Sequence, residues 1–211
     1  PNKEKKKIII INHLLRKEIY KLSYHVKEKI ENKVILFIVG GSQGAKFFDD
    51  KIKNSIIEIS KKYKLMVYHQ TGYVNFKEIE YFYKKNNIES KLFSFKENLF
   101  EFIKESNLAI TRAGASTLSE LTFLKVPFLA IPYKFATDNH QLENAIHYQN
   151  SNCCWILEEK DFSEEKLTKF LIDIIENKDE YFSKKKNLEK ICYNNTWNNI
   201  NEKIINSINE N

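Results

Sequence analysis

The run Val34-Ile-Leu-Phe-Ile-Val39 limits what this chain can fold into more than any other stretch. It holds six consecutive apolar residues, four of them β-branched, and stops at Gly40-Gly41. A strand with one wet face alternates polar and apolar residues. A run with no polar position belongs to a strand covered on both faces, as in a parallel sheet flanked by helices. Beyond the glycines, Phe48, Ile52, Ile56 and Ile59 recur at spacings of three and four, which predicts a helix over Ala45 to Lys62. Strand and helix then alternate. Strands are expected at Leu65 to His69, Lys91 to Phe93, Leu108 to Thr111, Phe128 to Ile131 and Cys153 to Leu157. The helices between them are expected at Phe76 to Lys85, Leu99 to Glu105, Thr117 to Leu124 and His140 to Tyr148. This order specifies an α/β fold, a Rossmann-like doubly wound parallel sheet with right-handed crossovers. Residues 1–33 read as a linker remnant and leading helix, 34–160 as the Rossmann-like domain, and 161–211 as helices packing on it.

At 211 residues, with 42% hydrophobic and 13% aromatic content but only 5 Gly and 3 Pro, the chain has the core material for such a domain. Disorder and low-complexity sequence are excluded. No apolar run reaches the roughly 18 residues of a spanning helix. The lysine-rich start with four isoleucines is too short for a signal-peptide core. Cys153 and Cys154 are adjacent and Cys192 is distant, which gives neither a disulfide framework nor paired metal knuckles. A soluble chain in a reducing cytoplasm is expected. Pro1 in place of Met indicates a processed chain or a piece of a longer one. The net charge of +6 is spread over lysines interleaved with acids, as in Lys27, Glu28, Lys29, Glu31 and Lys33, which describes solvated helix faces. No nucleic-acid-binding motif accompanies the charge, so nucleic acid is not an expected partner.

In a doubly wound sheet the ligand sits at the carboxyl ends of the strands, against helix N-termini. Four loops fall at that edge. The first is Gly40-Gly-Ser-Gln-Gly-Ala45, where three of the five glycines crowd. Glycines let the backbone approach a phosphate, and Ser42 and Gln43 add donors; a tight turn needing positive φ is the bland alternative. Neither the dinucleotide fingerprint nor the P-loop spacing fits. The second is His69-Gln-Thr-Gly72, where His69 reads first as a satisfied structural residue and second as a catalyst. The third is Thr111-Arg-Ala-Gly-Ala-Ser-Thr117, leading to Ser119 and Glu120. Ser116 or Thr117 is placed to cap the following helix, while Glu120, on a segment otherwise apolar, is placed to accept both hydroxyls of a ribose. The fourth runs from Pro132 to Gln141, with Asp138 or Asn139 as a cap and His140, Gln141 and Asn144 on one face suited to sugar hydroxyls. Asp49-Asp50, side by side on a helix, read as solvated and not as a metal-binding pair.

Taken together, Val39-Gly-Gly-Ser-Gln-Gly-Ala45, His69-Gln-Thr-Gly72, Thr111-Arg-Ala-Gly-Ala-Ser-Thr-Leu-Ser-Glu120, Val126-Pro127, Ile131-Pro132 and Thr137-Asp-Asn-His-Gln-Leu-Glu-Asn-Ala145 resemble the C-terminal half of the MurG family over roughly residues 12–160. These bacterial enzymes move GlcNAc from UDP-GlcNAc to lipid-linked muramoyl-pentapeptide in peptidoglycan synthesis. The resemblance implies the C-terminal, donor-binding domain of a GT-B glycosyltransferase that needs no metal or other cofactor. It also implies a place on the inner face of the cell membrane, with weak attraction to its anionic surface. It puts Gly41, Ser42, Gln43 and Gly44 at the diphosphate, and Lys96 where backbone groups read uracil. Ala115, Ser116, Thr117, Leu118 and Ser119 line the nucleotide, Glu120 holds the ribose, and His140, Gln141 and Asn144 contact GlcNAc. Arg16 matches the arginine after the inter-domain linker, although Asn12-His13-Leu14 departs from the Gly-Asn-Pro expected there. The N-terminal acceptor domain and its catalytic base have no counterpart in the sequence. A binding subunit of a split transferase and a UDP-GlcNAc epimerase of the same fold remain open as alternatives.

Overall fold

A computed structural model describes Leu15, Ile19 and residues 33–94, 99–191 and 197–209. Arg16, Lys96 and nearly all of the 1–33 segment therefore lie outside the described residues. Six parallel strands form one sheet in the order β3-β2-β1-β4-β5-β6. They are β1 Lys33–Val39, β2 Lys64–Gln70, β3 Glu89–Phe93, β4 Leu108–Thr111, β5 Phe128–Ala130 and β6 Cys154–Ile156. This is the strand order of the dinucleotide-binding Rossmann fold, with its switch point between β1 and β4.

The unbroken apolar run became the central strand for the reason given by its pattern. Val34, Leu36 and Ile38 point into one core and Ile35, Phe37 and Val39 into the other. The first core takes Phe48 from α1 (Gly41–Lys51), Ile56 and Ile59 from α2 (Lys53–Lys62), Ile79 and Tyr83 from α3 (Phe76–Lys85), and Leu167 and Leu171 from α7 (Glu164–Glu176). The second takes Ile103 from α4 (Phe100–Glu105), Leu118 and Leu121 from α5 (Ala115–Phe123), Ala145 from α6 (His140–Asn150) and Leu188 from α8 (Lys178–Lys190). Leu15 and Ile19 are also buried in the second core. The winding thus reverses at β4, which places a crevice beyond the ends of β1 and β4.

The single helix expected over Ala45 to Lys62 is instead two. Ile52, with φ −107° and ψ −7°, kinks the chain between α1 and α2. The bonds from Ile52 N–H to Phe48 O and from Ile56 N–H to Ile52 O persist across it, so the apolar spacing survives the bend. Two of the late helices carry side-chain caps: Ser163 accepts from Lys166 N–H and Asn177 from Glu180 N–H, each at 3.1 Å. A last helix, α9, covers Trp197–Asn209. One lysine departs from the solvated-face expectation. Lys184 is buried, with Nζ 2.8 Å from Asn152 Oδ1 and 4.8 Å from the Trp155 ring.

Candidate functional site

The strand register sets the edge. Val39 pairs with Thr111 and Thr111 with Ala130, so three consecutive strands end level and release their loops side by side. The glycine segment is shorter than expected, because helix α1 begins at Gly41 itself and the glycines form its entry turn. Gly40 is right-handed (φ −98°, ψ −7°) and Gly41 left-handed (φ +66°). Successive residues of opposite hand direct their N–H groups at a common point, the arrangement called a nest. Both N–H groups donate to Gln70 Oε1, at 3.1 and 2.9 Å. A Cβ on Gly41 would meet nothing within 4 Å, so glycine is required there by backbone conformation and not by space. Ser42, Gln43 and Gly44 lie in the first turn of α1, and the N–H groups of Ser42 and Gln43 have no intrahelical acceptor.

The second loop is tied down from below. His69 is buried, with Nδ1 2.9 Å from Tyr83 Oη and Nε2 3.3 Å from Asp49 Oδ1. The Tyr83 hydroxyl and Nδ1 share a hydrogen bond, whereas Nε2 and Asp49 Oδ1 are buried close together without a hydrogen-bond partner. Asp49 Oδ2 accepts from Asn75 Nδ2 at 2.9 Å. The reading of Asp49 as a solvated residue is corrected: it is 1% exposed, because the turn of α1 faces β2, whereas Asp50 points to solvent. Burial pulls the His69 pKa down to about 3 and pushes that of Asp49 up.

Arg112 organises the third loop, and the sequence reading gave it no role. Its guanidinium lies 4.0 Å from the Phe47 ring centre and 5.5 Å from that of Tyr133. Nη1 donates to Ile131 O at 3.1 Å and meets Glu159 Oε1 at 2.5 Å, with both side chains under 10% exposed. Burial lowers the Arg112 pKa, yet an arginine stays charged. One cation thereby binds α1, the β4 loop, the β5 loop and the turn after β6. The signal was an arginine directly following the short buried strand Leu108–Thr111, with Phe47-Phe48 elsewhere at the same edge. Ala113 takes the left-handed conformation (φ +61°), whereas Gly114 is extended and is the N-cap of α5. No side chain caps that helix, so the expected capping by Ser116 or Thr117 is corrected: both lie inside the first turn, beyond the cap position. Ala115 and Ser116 are exposed and Thr117 half-buried. Leu118 is wholly buried and its side chain belongs to the core. Ser119 and Glu120 are buried one turn in, at 4% and 7% exposure.

In the fourth loop Asp138 and Asn139 are both left-handed (φ +51° and +54°), and Asn139 is the N-cap without a side-chain bond. Consecutive non-glycine residues in that region cost of order 1 to 3 kcal/mol each and collect at ligand sites. His140 is exposed, and its Nδ1 lies 2.7 Å from Thr137 O. A carbonyl only accepts, so Nδ1 carries the proton and Nε2 presents a lone pair outward. Gln141 Oε1 accepts the Tyr133 N–H at 2.9 Å, and Asn144 Nδ2 donates to Ala113 O at 3.2 Å. Each amide is anchored at one end. Asn144 also links this loop to the third. Among the described residues no group of three or more His, Cys, Asp or Glu is arranged to hold a metal ion.

Strand order and level strand ends define a Rossmann-like domain, the architecture of each half of a GT-B glycosyltransferase. The chain belongs to glycosyltransferase family 28, whose C-terminal domain it matches over residues 35–198. It is 50% identical over 212 residues to the UDP-N-acetylglucosamine--N-acetylmuramyl-(pentapeptide) pyrophosphoryl-undecaprenol N-acetylglucosamine transferase of Pelagibacter ubique, covering 100% of this chain and 59% of that relative. It is 37% identical over 180 residues to the Rickettsia canadensis protein of the same name, covering 84% of this chain and 51% of the relative. The chain thus spans little more than half the length of these relatives. Among solved structures, Acinetobacter baumannii MurG superposes with a TM-score of 0.68 at 22% identity, covering 82% of this chain and 48% of that one. A UDP-glucosyltransferase from Polygonum tinctorium shares the fold at a TM-score of 0.59 and 13% identity, over 85% of this chain and 40% of that one.

Proposed function

We propose that this chain is the donor-binding half of an inverting glycosyltransferase that moves GlcNAc from UDP-GlcNAc to lipid-linked muramoyl-pentapeptide. The observation that carries the reading is the 50% identity along the whole chain to a relative named for that transfer. The geometry of the edge supports it. First-turn N–H groups of α1 and the positive end of its dipole suit a diphosphate and the charge that grows on it as UDP departs. Glu120, held in α5 beside the exposed Ala115-Ser116 turn, accepts the two ribose hydroxyls. His140 Nε2, Gln141 Nε2 and Asn144 Oδ1 are the atoms their anchoring bonds leave for GlcNAc hydroxyls. The acceptor hydroxyl attacks the anomeric carbon from the opposite side in a single displacement, and leaving-group charge is met by these donors without a metal. Lys96 backbone at the uracil and Arg16 at the domain junction complete the assignment. The acceptor site and the base belong to an N-terminal domain, and the enzyme works at the cytoplasmic face of the membrane. Titration calorimetry on the 211-residue chain tests the reading: UDP binds at least about tenfold tighter than GDP, and EDTA leaves UDP binding unchanged. Equal affinity for UDP and GDP would overturn it.

A further inference from the structure

The His69-Gln-Thr-Gly72 loop stands at the ligand edge, yet the proposed function gives none of its side chains a task. We infer that Gln70 is a positioning residue for the diphosphate turn, a brace that consumes the inward N–H groups of Gly40 and Gly41 and thereby aims the first turn of α1 at the donor phosphates. The inference rests on the proposed function, which puts the diphosphate at that turn.

Gln70 ends β2 with its side chain 4% exposed, and its oxygen accepts from both residues of the nest. Nests of this kind commonly take an anion. Here the concavity faces β2 and is filled by a neutral amide oxygen from the protein itself. The donors next in line are the N–H groups of Ser42 and Gln43 in the first turn, which lack intrahelical acceptors and sit at the positive end of the helix. Their direction follows from the hinge at Gly41, which as glycine is free to take either hand, so the turn is aimed by whatever holds it. Gln70 is that hold on one side. Asp49 is the hold on the other, accepting from Asn75 Nδ2 at the start of α3. Asparagine at position 70 would fall about 1.5 Å short of the two N–H groups, one carbon–carbon bond, so the side-chain length is itself part of the design. Small misplacements of groups that meet a reacting centre are costly.

The experiment compares Gln70→Met, which keeps length and volume but removes the strong acceptor, with Ile59→Val, a core substitution in α2 that lowers stability without touching the turn. UDP and uridine affinities are measured on the full 211-residue chain, together with amide exchange at Gly40 and Gly41. Gln70→Met is expected to speed exchange at both glycines and to weaken UDP roughly tenfold while leaving uridine binding within twofold. Ile59→Val binds both ligands as the wild type does. Gln70→Glu, which keeps an acceptor for both N–H groups, guards against misfolding of the first variant: exchange stays slow, and UDP but not uridine is weakened by the added charge. Wild-type binding of UDP matched by Gln70→Met overturns the inference. Failure of the wild type to bind UDP overturns the proposed function and the inference together.

Discussion

At the scale of single residues, Glu120 and Gly41 separate ligand binding from stability. Glu120→Gln keeps the shape of a buried side chain and removes its charge, and charge-assisted hydrogen bonds are worth about 1.5 to 3 kcal/mol. UDP affinity is therefore expected to fall at least tenfold in calorimetry, with the melting temperature changed by only a few degrees. A large stability loss with unchanged UDP affinity would assign Glu120 to the fold alone. Gly41→Ala acts in the other way. Nothing obstructs the new methyl group, so the cost is that of a left-handed L-residue, about 1 to 2 kcal/mol, read as a lower urea midpoint at unchanged slope.

At the scale of elements, two buried polar clusters fasten helices to the sheet. The Asp49–His69–Tyr83 cluster makes stability depend on pH. His69 ionises near 6.5 when unfolded and only near 3 when folded, because burial disfavours the imidazolium. Between those values the unfolded chain binds more protons, so stability present above about pH 6.5 is lost as pH falls toward 3, by about 1.4 kcal/mol per unit. Asp49, whose pKa is raised by burial, works with the opposite sign over the window just above its ordinary 3.8. Urea melts from pH 7 to 5 should show the His69 slope, and His69→Gln should flatten it. The Arg112 cluster is the second fastening. Arg112→Ala leaves Glu159 buried without its cation and is expected to cost about 3 to 5 kcal/mol. Arg112→Lys recovers only part of this in denaturation midpoints, since an ammonium neither stacks on Phe47 nor forks between Ile131 O and Glu159.

At the scale of the whole molecule, the proposed reaction needs donor, acceptor and base in near-attack geometry, and such positioning supplies on the order of 7 to 11 kcal/mol of a barrier. On the proposed reading, the residues that bear on chemistry here all serve the donor. The 211-residue chain is expected to bind UDP-GlcNAc and give no transfer to lipid-linked muramoyl-pentapeptide. Transfer should appear when the N-terminal half of the Pelagibacter ubique relative is supplied in cis or in trans. A radiolabelled-GlcNAc assay decides it, and turnover by the chain alone would locate acceptor and base within these residues.

The sequence by itself determined the sheet and its edge. Val34 to Val39 could only be a strand with two covered faces, and the alternation that followed dictated parallel strands, because hydrophobic period is a local property that burial merely fulfils. Phe76 to Lys85 and Leu108 to Thr111 are found with those very bounds. The order of the four polar loops was legible for the same reason. Tertiary structure decided what no local pattern encodes. Asp49 is buried because α1 turns that face toward β2, and Leu118 belongs to the core because α5 begins two residues earlier than its apolar spacing suggested. The left-handed position in the third loop falls on Ala113 and not on Gly114, since the bonds to Thr111 Oγ1 and Asn144 Nδ2 hold Ala113 there. The partnerships of Arg112 with Phe47 and Glu159, and of Gln70 with Gly40 and Gly41, join residues 29 to 65 positions apart. Such contacts exist only once the strands are in register, and their strength depends on burial that the finished fold alone provides.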